Sequence, residues 1–154
     1  MGNIEKSFED VLNELELQYR KSLIKVDMEI FQARQTRMNS KIQRYFNSTP
    51  LRNAFARWMV YAYYKNQFYT ISQLVNEMST NRQTVSLMIN ECEVENYIIV
   101  QRLGKTVACQ ASLMLVEAMD EYSEWRKTLI EKTIYQPYLD LKQFENLIKK
   151  RSDM

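Results

Sequence analysis

The chain has 154 residues, of which 45% are hydrophobic, 26% charged and 12% aromatic, and its formal net charge is +2. This balance predicts one compact domain, with or without helical extensions, and excludes a disordered or collagen-like protein. The densest apolar run, Trp58 to Tyr64, is too short to span a membrane, and the N-terminus lacks the apolar core of a signal peptide. We therefore expect a cytoplasmic protein without a membrane partner.

Residue types that are rare or missing exclude several classes of function. The chain contains no histidine, which excludes Ser-His-Asp hydrolases and imidazole-ligated metal sites. Its two glycines, Gly2 and Gly104, cannot build a glycine-rich nucleotide loop. Cys92 and Cys109 lack the spacing of zinc ligands, and we interpret both as small buried apolar residues rather than as a disulfide. No catalytic activity, metal or cofactor is expected.

The first predicted element is a long N-terminal helix. From Ile4 to Tyr19 the apolar residues recur every three or four positions, which is typical of one apolar stripe on a helix. Between Ile24 and Ile30 apolar residues alternate with charged ones, a pattern that alone favours a strand. Because no turn residue separates this stretch from its neighbours, we interpret it as a continuation of the helix.

Charge is unevenly distributed along this N-terminal part. Residues 1–16 contain one lysine and five acids, whereas residues 17–45 contain seven basic residues and two acids, so one long helix would carry opposite charge at its two ends. A solvated helix face explains the basic block without a ligand. Alternatively, the basic block follows a phosphate backbone through Arg34, Arg37, Lys41 and Arg44.

A helix-turn-helix is predicted in the middle of the chain. Thr49 and Pro50 can begin a helix that runs to about Gln67, and Thr70 with Gln73 forms a capping box for the next helix. Ser79, Thr80 and Asn81 then interrupt the apolar spacing, which resumes from Val85 to Cys92. Two short helices joined by a tight polar turn are expected.

A β-hairpin, or wing, and two more helices should follow. Asn96 can adopt the left-handed conformation that closes a helix, and the β-rich segments around Tyr97–Val100 and Val107–Ala108 flank a tight turn at Gly104. A helix is expected from about Ser112 to Lys132, with Pro137 separating it from the last one. The predicted fold class is therefore mostly α with a small β-hairpin: a helical extension (1–48), a winged helix-turn-helix (49–110) and C-terminal helices (111–154), with dimerisation assigned to both ends.

Residues 70–102, TISQLVNEMSTNRQTVSLMINECEVENYIIVQR, resemble the winged helix-turn-helix of the MarR family of transcriptional regulators. The resemblance implies a homodimer that places one recognition helix per subunit into adjacent major grooves of double-stranded DNA. The chain departs from the family pattern at three places. Asn96 replaces the usual glycine, Leu87 stands where arginine is common, and the short wing at Gly104 and Lys105 lacks the Asp-x-Arg of the family.

Side chains opposite the apolar face of the recognition helix are the expected base contacts. Arg82 suits guanine, Gln83 and Asn90 suit adenine, and Leu87 can pack on a thymine methyl group. Hydroxyls and amides at the start of the helix favour phosphate, and the wing cations suit the backbone or the minor groove. The full set of expected DNA-binding residues is Thr80, Asn81, Arg82, Gln83, Thr84, Ser86, Leu87, Asn90, Arg102 and Lys105.

The sequence leaves three alternatives open. The domain can serve protein contact instead of DNA binding, since Glu91, Glu93 and Glu95 make the far end of the recognition helix acidic. Glu91 and Glu95 can also be read as an acid-base pair of an enzyme, although glutamates at this spacing are usually solvated. Finally, a small aromatic effector can bind among aromatic side chains that otherwise form a plain aromatic core. These are Trp58, Tyr61, Tyr63, Tyr64, Phe68, Tyr69, Tyr122 and Trp125.

Overall fold

The computed structural model describes residues 2–36 and 40–153, and the side chains from Ser7 onward. The chain is mostly α-helical with a small three-stranded antiparallel sheet, which confirms the expected fold class. The helices are α1 (Gly2–Thr36), α2 (Lys41–Asn47), α3 (Pro50–Tyr64), α4 (Ile71–Met78), α5 (Arg82–Val94), α6 (Leu113–Thr133) and α7 (Tyr135–Ser152). The strands are β1 (Tyr69–Thr70), β2 (Ile98–Leu103) and β3 (Thr106–Ala111). None of the described helices contains a stretch long and apolar enough to cross a membrane.

The described chain divides into two compact units. The helical unit contains α1 as far as Ala33 and the chain from Glu124 onward, and the central unit runs from Arg34 to Ser123. The central unit is wider than the range 49–110 expected for the winged helix, because Phe46 of α2 and Leu115 of α6 pack into its core. The largest fully buried side chains lie in this unit: Phe55, Met59, Leu74, Val85, Ile89, Cys92 and Cys109.

Both cysteines belong to that core. Cys92 and Cys109 are free thiols with no exposed surface, which agrees with their interpretation as small apolar residues. Burial raises the pKa of each thiol to about 12. At neutral pH both thiols therefore stay protonated and are poor nucleophiles.

Helix α1 is continuous through the stretch whose apolar residues alternate with charged ones, so the helical interpretation is confirmed. Val26 and Ile30 are buried against Leu129, whereas Ile24 and Met28 are 59% and 57% exposed. On a helix, residues two positions apart point to nearly opposite sides. The alternation thus reflects a helix that is apolar on two opposite faces.

Two helix boundaries differ from expectation. The expectation of a single helix that carries both charge blocks holds only in part: α1 carries the acidic block and the basic block as far as Arg34, but it ends at Thr36. Helix α2 begins at Lys41 and is capped by the side chain of Ser40. Arg37, one of the basic residues considered for phosphate contact, lies outside the described residues. Helix α3 ends at Tyr64 rather than near Gln67, because Asn66 adopts a left-handed φ of 55° and the Gln67 amide donates back to the Ala62 carbonyl.

Pro137 does not separate the last two helices. Helix α6 ends at Thr133 and α7 begins at Tyr135, so Pro137 occupies the first turn of α7. Amides in the first turn of a helix have no intrahelical acceptor, and a proline there removes no hydrogen bond.

The sheet has the order β1-β3-β2. Strands β2 and β3 form the expected wing, paired from Ile98 with Ala111 to Leu103 with Thr106. Gly104 begins the two-residue turn with a φ of 61°, the positive value that tight hairpin turns require. The sequence did not predict strand β1, which pairs Tyr69 with Cys109, because two residues are too few for a periodic signal.

Candidate nucleic-acid interface

Helices α4 and α5 form the predicted helix-turn-helix. The capping box at the start of α4 is present: the Gln73 amide donates to Thr70 Oγ1 at 3.2 Å, and the Thr70 amide donates to Gln73 Oε1 at 2.8 Å. Helix α4 ends at Met78, and its C-cap Ser79 has a φ of 51°. The Asn81 side chain then caps α5 by accepting a hydrogen bond from the Thr84 amide at 2.8 Å. Local side-chain to backbone bonds therefore set the tight turn between the two helices.

The buried side of α5 is the one expected from the sequence. Val85, Met88, Ile89 and Cys92 are all at most 3% exposed and belong to the core of the central unit. With 3.6 residues per turn, these four side chains leave the opposite face of the helix to solvent.

That opposite face is a row of four exposed side chains, which we call the outer stripe: Gln83, Leu87, Asn90 and Val94. Leu87 is 58% exposed and Val94 is 78% exposed. The sequence reasoning identified the first three of these residues but missed Val94. Its spacing of seven residues from Leu87, two helical turns, was the signal that could have found it.

The remaining expected contacts of the helix-turn-helix lie beside the outer stripe, at the start of α5 or in the turn before it. Thr80, Thr84 and Ser86 are half-buried, whereas Arg82 is exposed. Arg82 Nη1 donates to Ser72 Oγ on α4 at 3.0 Å. The guanidinium is therefore held along the helix-turn-helix by its own chain.

The three glutamates at the far end of α5 form ion pairs with three other elements. Glu91 pairs with Arg52 of α3 at 3.2 Å, and Glu95 pairs with Lys41 of α2 at 2.8 Å. Glu93 receives two hydrogen bonds from Arg102 of β2, which lower the pKa of its carboxyl group. The acidic end of α5 is thus offset by neighbouring cations. Glu91 and Glu95 line one pocket, but each carboxylate is paired with a cation, whereas the acid-base alternative requires carboxylates that act on a substrate.

The two cations expected at the wing, Arg102 and Lys105, differ in their surroundings. Arg102 reaches across to α5, and its two terminal nitrogens lie 2.8 and 2.7 Å from the carboxylate oxygens of Glu93. Lys105 is exposed in the turn of the hairpin, two residues after Leu103, which is 76% exposed. Of the two cations, Lys105 is therefore the one at the tip of the wing.

Most of the aromatic side chains considered for an effector contact one another. Within the central unit, the ring of Trp58 lies 6.5 Å from Tyr61 and 5.9 Å from Tyr69, and Tyr63 contacts Tyr64. The hydroxyl of Tyr64 donates to the Asp120 carboxylate, which raises the pKa of this tyrosine to about 12. In the helical unit, Trp125 packs against the cluster around Val26, Ile30 and Leu129. An aromatic effector stays a prediction.

Comparison with known proteins yields likenesses in structure only. No protein-family model matches the sequence, and no curated protein matches it. A point mutant of MepR from Staphylococcus aureus is 18% identical, with a TM-score of 0.55 over 88% of this chain and 97% of its own. MepR itself, a transcription regulator of the S. aureus multidrug efflux pump MepA, is 11% identical, with a TM-score of 0.53 over 82% of this chain and 93% of its own. A MarR family protein from Bacillus stearothermophilus is 14% identical, with a TM-score of 0.47 over 99% of this chain and 95% of its own.

Both MepR likenesses have TM-scores above 0.5. They cover most of both chains, so the flanking helices are included in the likeness. The chain therefore has the winged helix-turn-helix fold of MepR, which confirms at the level of fold the resemblance to MarR-family transcriptional regulators.

Proposed function

We propose that this protein is a sequence-specific transcriptional regulator that binds double-stranded DNA as a homodimer, with α5 in the major groove. The observation that carries the proposal is the exposed outer stripe of α5, presented by a helix-turn-helix whose other face is buried. The similarly folded MepR is a transcription regulator, which supports the same role. The side chains proposed to contact DNA are Thr80, Asn81, Arg82, Gln83, Thr84, Ser86, Leu87, Asn90, Arg102 and Lys105.

An exposed apolar row on α1 supports the homodimer. Leu17, Ile24, Met28 and Phe31 are between 43% and 62% exposed, and they lie opposite the face that carries Val26 and Ile30. Contiguous apolar surface of this kind marks interaction sites on soluble proteins. A second copy related by a two-fold axis would cover the row and present two α5 helices to successive major grooves. Dimerisation is thereby assigned to the terminal helices, as expected from the sequence.

Selection of bound duplexes from a random pool tests the proposal. The wild-type protein should enrich an inverted repeat with half-sites about 10 base pairs apart. Gln83→Ala should lose this enrichment, whereas Gln143→Ala, which removes an exposed glutamine from α7, should retain it. Salt-sensitive binding without any enriched sequence would contradict sequence-specific recognition by this chain.

The exposure of Leu87 and Val94 also supports a second candidate, a winged-helix module that contacts another protein. Exposed aliphatic side chains on one helix face can pack into the groove of a protein partner. Binding to duplex DNA at low salt distinguishes the two candidates. Absence of binding to any duplex at low salt would reject the DNA-binding role and leave the protein-contact role.

A further inference from the structure

The outer stripe of α5 carries no charge. It consists of two amides, Gln83 and Asn90, and two aliphatic side chains, Leu87 and Val94. The charged residues of α5 all lie beside the stripe, and each has a partner within the chain. Arg82 binds Ser72, and the three glutamates bind Arg52, Arg102 and Lys41.

These four side chains match the chemistry of adenine and thymine in the major groove. Guanine presents two acceptors there, which are best met by arginine or lysine, and the outer stripe contains neither. Adenine presents one donor and one acceptor, which a glutamine or asparagine amide can bind together. The thymine methyl group offers apolar contact to an aliphatic side chain.

We infer that the outer stripe reads adenine and thymine, so that each half-site is A·T-rich at the centre of the contacted groove. This inference rests on the proposed DNA-binding function. Arg82 keeps its hydrogen bond to Ser72 at the edge of the helix and contacts the phosphate backbone rather than a guanine. Leu87 lies against a thymine methyl group, between the adenine contacts of Gln83 and Asn90.

The spacing of the stripe limits the length of this A·T segment. Gln83 and Asn90 are seven residues apart, which is about 10 Å along a helix with a rise of about 1.5 Å per residue. At about 3.4 Å per base pair this distance covers about three successive pairs. Val94 lies one further turn along the same stripe.

Duplexes that lack single groups of the bases test the inference directly. Replacing the thymines of the selected half-site by uracil removes only the methyl groups. For each methyl group in contact we expect roughly fourfold weaker binding, which corresponds to the free energy gained by burying one group of that size. Replacing the adenines by 7-deazaadenine removes the N7 acceptor, and we expect a roughly fivefold loss, the lower end of the range for an amide-adenine pair.

Matched variants identify the side chains responsible. Leu87→Ala should bind thymine and uracil duplexes equally well, because the aliphatic contact is gone. Leu113→Ala is the control, since Leu113 is also 58% exposed but lies on α6, and it should keep the full preference for thymine. Arg82→Ala should weaken binding to all duplexes alike without changing base preference.

Several results would overturn the inference while leaving the DNA-binding function intact. These are a G·C-rich half-site, indifference of the wild-type protein to uracil and 7-deazaadenine, or a base preference that changes in Arg82→Ala. Absence of binding to any duplex at low salt would instead reject the proposed function together with this inference, and would make the outer stripe a face for a protein partner.

Discussion

The pair formed by Arg102 and Glu93 joins the wing to the recognition helix. Both terminal nitrogens of the guanidinium are used by one carboxylate, a geometry that fixes direction as well as distance. Arg102 must leave this pair before it can bind a phosphate with the same two nitrogens. Lys105 has no such constraint within the described part of the chain, so the wing presents its two cations to DNA unequally.

Because of this pair, the stability of the wing should depend on pH in the acidic range. The pKa of Glu93 is lowered from an ordinary value of 4.5, mainly by the hydrogen bonds from Arg102. The pair is therefore complete above that pH and is lost as the pH falls through the lowered pKa. In wild type, hydrogen-exchange protection of the β2 and β3 amides should fall over that acidic range.

Arg102→Gln should remove that dependence and return the pKa of Glu93 towards 4.5. Carboxyl titration by NMR measures the pKa, and Arg126→Gln on α6 serves as a control that should leave it unchanged. Equal titration of Glu93 in wild type and Arg102→Gln would show that the pair does not form in solution.

At the scale of elements, the chain ends its short helices with residues in left-handed conformation. Asn66, Ser79 and Asn96 have φ values of 55°, 51° and 61° and follow α3, α4 and α5 respectively. Behind α5, the Tyr97 amide donates to the Cys92 carbonyl at 2.9 Å, which closes the last turn and turns the chain into β2. Asparagine tolerates this conformation better than other residues with a Cβ atom, but less well than glycine.

Substitutions at Asn96 should therefore follow the order of left-handed preference. Asn96→Ala should lower the free energy of unfolding by about 1 kcal/mol, and Asn96→Gly should leave it unchanged or raise it by up to about 1 kcal/mol. Urea unfolding measures both. For substitutions of Asn146, which lies inside α7, the order of stability should reverse, and Asn146→Gly should be less stable than Asn146→Ala. Glycine within a helix makes the protein less stable than alanine does, by about 0.5 to 1 kcal/mol. Equal stability of Asn96→Ala and Asn96→Gly would contradict the role of the left-handed cap.

At the scale of the whole molecule, the helical unit has more apolar surface than its own contacts cover. One face of α1 is buried through Val26 and Ile30, and the opposite face leaves Ile24, Met28 and Phe31 largely exposed. A monomer leaves this second face exposed, whereas the proposed dimer would bury it. The proposed DNA site, an inverted repeat with two half-sites, also requires two copies of the chain, since one copy can occupy only one half-site.

A charge on this face should disrupt the proposed dimer. We expect Ile24→Glu to raise the dissociation constant of the dimer at least tenfold, because each subunit would bring an unpaired carboxylate into an apolar interface. Lys25→Glu, which changes more charge on an exposed neighbouring position, should have little effect. Sedimentation equilibrium measures both constants. A dimer of unchanged stability in Ile24→Glu would place the interface elsewhere.

Much of the fold follows from interactions between residues that are close in sequence. The caps at Thr49, Thr70 and Asn81, the left-handed turn at Asn96 and the buried face of α5 could all be predicted, because each depends on side chains within one or two helical turns. For the same reason the sequence by itself determined the helix-turn-helix and the three members of the outer stripe that it identified.

Tertiary structure alone decided how the charges near this surface are paired. Lys41 and Glu95 are 54 residues apart, and Arg52 and Glu91 are 39 apart, so no local pattern reveals that these charges meet. Strand β1 likewise exists only because β3 lies beside it. Folding brings these distant residues together, and the ion pairs it forms offset the charge of the helix end that the sequence alone shows as acidic.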